Sequence, residues 1–113
     1  KSSILQSKRG GYDFTYGGAV LILVANRRGY GNAMADSAAA IENMLLAAAS
    51  LGVGACWINQ IRWLADHPAV VDKLASLGIP PEEMVCGGVS LGMPAGEPPR
   101  APERKGNPVI VID

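Results

Sequence analysis

Apolar residues in this chain fall into runs of different period, and each run predicts a different element. Residues 19–25, AVLILVA, are continuously apolar with β-branched members, the pattern of a strand covered on both faces. Residues 33–51 carry Ala, Ile, Leu or Met at most positions and contain no Gly or Pro, which predicts a long helix. Asp36, Asn43 and Ser50, at seven-residue spacing, form one narrow polar stripe, with Glu42 off it. Asn32 suits the N-cap, Asp36 suits the positive end of the helix dipole, and Gly52 suits the position that ends the helix. A helix this apolar needs cover on several sides. So short a chain does not supply it all, and a second subunit is expected over part of the helix.

The remaining pattern is shorter. Residues 55–59 read as extended and residues 61–65 as one helical turn. Asp66 or His67 caps a second helix that opens on Pro68, carries Val70, Val71, Leu74 and Leu77 on one face, and closes at Gly78. Pro80-Pro81-Glu82-Glu83 is a turn, and residues 84–91, MVCGGVSL, are a second buried strand whose Gly87-Gly88 predicts a bulge or a close backbone contact. Residues 1–18 and 26–31 read as loop, residues 92–107 as an extended Pro/Gly-rich connector, and residues 108–113, PVIVID, as a last strand that pairs in its own sheet or a neighbour's. The order strand, helix, helix, strand, late strand is an α+β or α/β pattern in a single domain.

Composition narrows the function. The 113 residues are 49% hydrophobic and 18% charged with zero net charge, so the chain is globular and nothing in its charge invites nucleic acid or an acidic membrane surface. The longest apolar run, residues 17–26, is too short to span a bilayer, and the first residues have no apolar signal core, which together predict a cytoplasmic protein. Cys56 and Cys86 are far apart, outside any CxxC, and read as reduced, small, buried hydrophobes. His67 is the sole histidine, so neither a metal site nor a Ser/His or Cys/His pair is expected, and no catalytic side chain is assigned.

Three segments remain as candidate chemistry. Gly52-Val53-Gly54 resembles the start of a dinucleotide fingerprint, but it follows a helix and Trp57 stands where the third glycine belongs, so that reading fails. Residues 56–60, Cys-Trp-Ile-Asn-Gln, would offer extended backbone N–H and C=O groups to a planar polar ring, against the simpler reading of a packed strand. Arg100, Arg104 and Lys105 on the Pro-rich connector would hold a phosphate, against the simpler reading of a solvated charged loop. Tyr12, Tyr16 and Trp63 are pocket candidates that read more simply as packing residues.

Taken in order, YGGAVLILVA, then ADSAAAIENMLLAAASLGVGACWINQ, then LGIPPEEMVCGGVSLGMPAG resemble the FMN-dependent nitroreductase family from about Tyr16 to about Lys105. The resemblance implies an α+β nitroreductase-like fold: a mixed sheet with a long buried central helix, built as an intertwined homodimer through the helix at residues 33–51. It divides the chain into a loop (1–15), a family-like core (16–105) and a C-terminal strand or arm (106–113). It implies FMN at the dimer interface, with the ring edge near N5 met by Trp57, Ile58, Asn59 and Gln60 and the phosphate by Arg104 and Lys105, more weakly by Arg100. The implied activity passes a hydride from NAD(P)H through flavin N5 to a nitroaromatic, quinone or similar acceptor. Nothing in residues 1–14 matches the family's N-terminal arginine-rich phosphate grip, so the N-terminal part of the fold is expected to be missing. The competing expectation is a non-catalytic truncated fragment that dimerises or binds a ligand without turnover.

Overall fold

A computed structural model describes residues 11–97, 100–103 and 105–112. Three strands and two helices form its core: β1 (Val20–Arg27), α1 (Ala33–Ser50), β2 (Gly54–Ile58), a 3-10 helix (Gln60–Leu64), α2 (Pro68–Ser76) and β3 (Glu83–Gly92). The strands make one antiparallel sheet in the order β1-β3-β2, so the last strand in sequence lies in the middle. That central position explains why Val85 to Ser90 are buried without interruption.

Glycines and a bulge shape β3. Its register with β1 slips by one residue, Val24 facing Gly87 and Ala25 facing Val85, which leaves Cys86 as the extra residue. Gly87 faces α1: an added Cβ would come within 2.9 Å of Cδ1 of the fully buried Ile41. Gly88 faces the other way, where an added Cβ would meet the Ile22 carbonyl oxygen at 2.7 Å. Both features predicted for Gly87-Gly88, a bulge and a close approach, are therefore present.

The helix α1 covers one face of the sheet. The other face carries Val85 packed with Ala65 and Leu74, joined by Leu23, Ile61, Val70 and Ile79. Both helices end in the same way. Gly52 (φ 69°) donates to the Ala49 carbonyl and Val53 to Ala48; Gly78 (φ 92°) donates to Ala75 and Ile79 to Leu74. Asn32 and His67 occupy the N-cap positions without a side-chain capping bond, and Asp66 instead pairs with Arg28 at 2.7 Å. Arg28 also donates to the Pro81 carbonyl at 2.8 Å, fastening the end of β1 to the turn before β3.

Within one chain α1 buries only Ala33, Ser37, Ile41 and Ala48, because the sheet touches one side of it; Leu46 is 60% exposed. Several other expectations are corrected. β1 is half-buried rather than covered on both faces, since a cavity lies against Leu21 and Leu23. Leu77 is exposed just past the end of α2. Cys56 is exposed and only Cys86 is a buried hydrophobe; both are free thiols. Residues 108–112 form no strand, because β3 is already paired on both sides and no described strand takes them; Val109 to Ile112 are 80–90% exposed. Residues 1–10, expected as loop, and Arg104 and Asp113 lie outside the described residues.

Candidate functional site

The four residues singled out after the long helix form one corner of the molecule. β2 needs five residues to pair with β3, and the chain then turns into the 3-10 helix, drawn inward by Ile61 and Ala65. Ile58 is buried at the strand end. Trp57 stays 38% exposed while its Nε1 packs against Gly87, at 3.1 Å from where a Cβ would stand. It is thus a packing residue on one face and accessible on the other. Asn59 is exposed and its carboxamide makes no capping bond to the 3-10 helix. Gln60 is half-buried, and its Nε2 donates to the Tyr12 hydroxyl at 2.5 Å.

A cavity of about 520 Å³ opens beside this corner, between β1, the 3-10 helix and α2. Its walls are mostly apolar, with Phe14, Leu23, Leu64 and Val70 among them, and its polar side chains are Tyr12, Gln60 and Lys73. A smaller cavity of about 230 Å³ lies at the other end of β2, lined by Tyr16, Cys56, Ser90 and the backbone of Gly17, Gly18 and Gly54. Such a set of few polar groups in an apolar wall is what orients a small ligand in its pocket. Among the described residues no group of His, Cys, Asp and Glu is placed to hold a metal ion, and no helix is long and apolar enough to cross a membrane.

Two of the three predicted phosphate cations are described, and neither lines the cavities at this corner. Arg100 and Lys105 are exposed on irregular chain and line none of these cavities, and Arg104 lies outside the described residues. Two other arginines are engaged elsewhere, Arg28 with Asp66 and Arg62 stacked 4.9 Å from the Trp63 ring centroid.

What sequence reasoning missed is how Asp13 closes the loop before β1. The Asp13 carboxylate accepts the Thr15 N–H at 2.8 Å, the Thr15 hydroxyl at 2.6 Å and the Gly17 N–H at 2.7 Å. These bonds, that from the Thr15 hydroxyl first, hold the Asp13 pKa below its ordinary value. The Thr15 carbonyl in turn accepts the buried Ser90 hydroxyl at 2.6 Å. The signal was the spacing Asp13-x-Thr15-x-Gly17, an aspartate turn closed by a glycine.

The family model described as Nitroreductase family matches residues 1–93, a span that contains every strand and helix of the sheet domain. The chain belongs to the nitroreductase family. A crystal structure of a nitroreductase with bound FMN from Bacteroides fragilis shares 36% identity with it at a TM-score of 0.86, covering 96% of this chain and 59% of that one. A second structure, of a putative NADH dehydrogenase/NAD(P)H nitroreductase from Parabacteroides distasonis, shares 27% identity at a TM-score of 0.57, covering 77% of this chain and 50% of that one. The chain thus spans about half to three-fifths of the length of these two nitroreductases. No curated protein matches it. The family match ends at Met93, so the cations of residues 100–105 lie beyond it.

Proposed function

We propose that this chain forms part of a flavin-dependent oxidoreductase of the nitroreductase type, with FMN as cofactor, NAD(P)H as electron donor and a nitroaromatic, quinone or similar molecule as acceptor. The observation that carries the reading is the FMN-bound nitroreductase from Bacteroides fragilis, 36% identical and alike over 96% of this chain.

The β2 corner fits the edge of a flat ring. The Asn59 carboxamide is not used as a cap, Trp57 is accessible beside it, and Gln60 stands at the rim of a cavity of about 520 Å³. In this reading Trp57, Ile58, Asn59 and Gln60 border the ring, chiefly through backbone. Arg104 and Lys105, and more weakly Arg100, hold the phosphate, with Arg100 and Lys105 reaching it from a neighbouring chain. When bound, FMN supplies the redox chemistry, and the chain's part is to bind it, orient it and exclude water. That division of labour requires no side-chain catalytic group.

A homodimer through α1 belongs to the same proposal. It covers the apolar face that the sheet leaves open and offers a route by which the arm of one chain reaches the site of the other. So does the domain division into a loop (1–15), a core (16–105) and an arm (106–113). A reducing, cytoplasmic setting suits the exposed free thiol of Cys56.

The test is the visible absorbance spectrum of the purified protein after adding FMN and removing the excess. A retained flavin spectrum is expected, followed by NAD(P)H oxidation on adding an acceptor. No retained flavin would leave the second reading, a domain that self-associates or binds another ligand without turnover. Flavin retained without NAD(P)H oxidation would reduce the proposal to cofactor binding.

A further inference from the structure

We propose that Tyr12 is a positioning residue: its hydroxyl holds the Gln60 carboxamide, and so fixes the Asn59-Gln60 turn in the orientation in which it meets a flavin ring. The inference rests on the flavin reading above and adds to it a residue outside the β2 segment.

The argument runs from the middle of the sheet outward. Ser90, buried in the central strand, donates to the Thr15 carbonyl at 2.6 Å. Gly18 makes room for that hydroxyl, since a Cβ there would stand 1.9 Å from Ser90 Oγ. The three bonds accepted by Asp13 then close the turn over residues 13–17. Tyr16 within it takes a left-handed backbone (φ 54°) that only a well-determined turn sustains in a non-glycine residue. A side-chain hydrogen bond with Tyr12 raises the Tyr16 pKa above the ordinary phenol value. Tyr12 directly precedes this turn, which is anchored to β3. Its oxygen accepts from Gln60 Nε2 at 2.5 Å, across the rim of the cavity that both residues line. Among the described residues Asn59 makes no side-chain cap to the 3-10 helix that follows it, and the bond from Gln60 to Tyr12 ties the start of that helix to the turn.

Tyr12→Phe keeps the ring that lines the cavity and deletes only the oxygen, so it separates positioning from packing. The first measurement is hydrogen exchange of residues 58–64 in the flavin-free protein, with the melting temperature as a control for folding. About fivefold faster exchange is expected there in the variant, with α1 unchanged, as for one lost hydrogen bond. Gln60→Leu serves as the second variant and should give the same local change. The other measurement is the absorbance maximum and midpoint potential of bound FMN, both expected to shift in Tyr12→Phe.

Unchanged exchange overturns the clamp. Faster exchange with an unchanged flavin spectrum and potential overturns positioning. A wild-type chain that retains no FMN sinks the flavin reading and the flavin half of this inference with it, while exchange alone still decides whether Tyr12 holds the corner.

Discussion

Gly88 sits mid-strand in β3, facing Leu23 of β1 and Ile58 of β2. The atom nearest to an added methyl group is the Ile22 carbonyl oxygen at 2.7 Å, a backbone atom that cannot rotate away. Gly87 is different, because its nearest neighbour is the flexible tip of Ile41. Gly88→Ala is therefore expected to destabilise the fold by about 1–3 kcal/mol, and more than Gly87→Ala does. Urea denaturation of the two variants checks the order, and equal midpoints would contradict it. Asp13 gives a prediction of another kind. Its folded pKa lies below the ordinary 3.8 because three donors favour the carboxylate. A depressed pKa stabilises the fold above the unfolded value, and the contribution is lost as pH falls through the folded one. The turn over residues 13–17 should thus stay closed at neutral pH and open only below about pH 3.8. The Thr15 and Gly17 amide shifts report this in an NMR titration, and a midpoint at or above 3.8 would show that the carboxylate does not hold the turn.

Element boundaries were legible where the local chemistry fixes them. Gly52 and Gly78 end their helices with positive φ as their positions foretold, and Pro68 opens α2. The strand from residue 84 to 91 was readable because its place in the centre of the sheet makes its apolar run continuous. What the pattern could not give was which neighbour covers which face. The run at residues 19–25 looked buried on both sides, yet β1 is an edge strand with a cavity against it. The corner at Trp57 to Gln60 was legible as a contiguous segment; its tie to Tyr12 was not, since 48 residues separate the two partners. Ser37 shows the same limit from inside α1. In sequence it is one small polar residue among alanines; in the fold its hydroxyl is buried with no hydrogen-bond partner among the described residues. A buried hydroxyl without a partner is destabilising, and Ala is the better helix former. Ser37→Ala is expected to stabilise the chain by about 0.5–1.5 kcal/mol. A higher melting temperature supports this, and a lower one would mean that the hydroxyl has a partner after all.

At the scale of the whole molecule, apolar surface is left open among the described residues on the face of α1 turned from the sheet, where Ala39, Leu46 and Ala47 are exposed beside the polar Asn43, and on the arm at Val109 to Ile112. Exposed apolar surface on this scale marks an interaction site more often than an accident of composition. The proposed homodimer gives both an occupant. The choice of variant follows from burial. A charge at Ala48 would not test the dimer, because Ala48 is packed against the sheet of its own chain and the fold itself would suffer. Leu46 is 60% exposed in the single chain, so Leu46→Glu leaves the monomer's packing nearly untouched and places a carboxylate where the partner would lie. The expected outcome in sedimentation is a dimer for the wild-type chain and a shift to monomer for the variant, with the helical circular dichroism unchanged. A variant that still sediments as the wild-type dimer would move the interface off α1. If the variant is a monomer that also loses FMN, the site draws on both chains, which is the arrangement that would let exposed cations at Arg100 and Lys105 reach a corner they do not reach in their own chain.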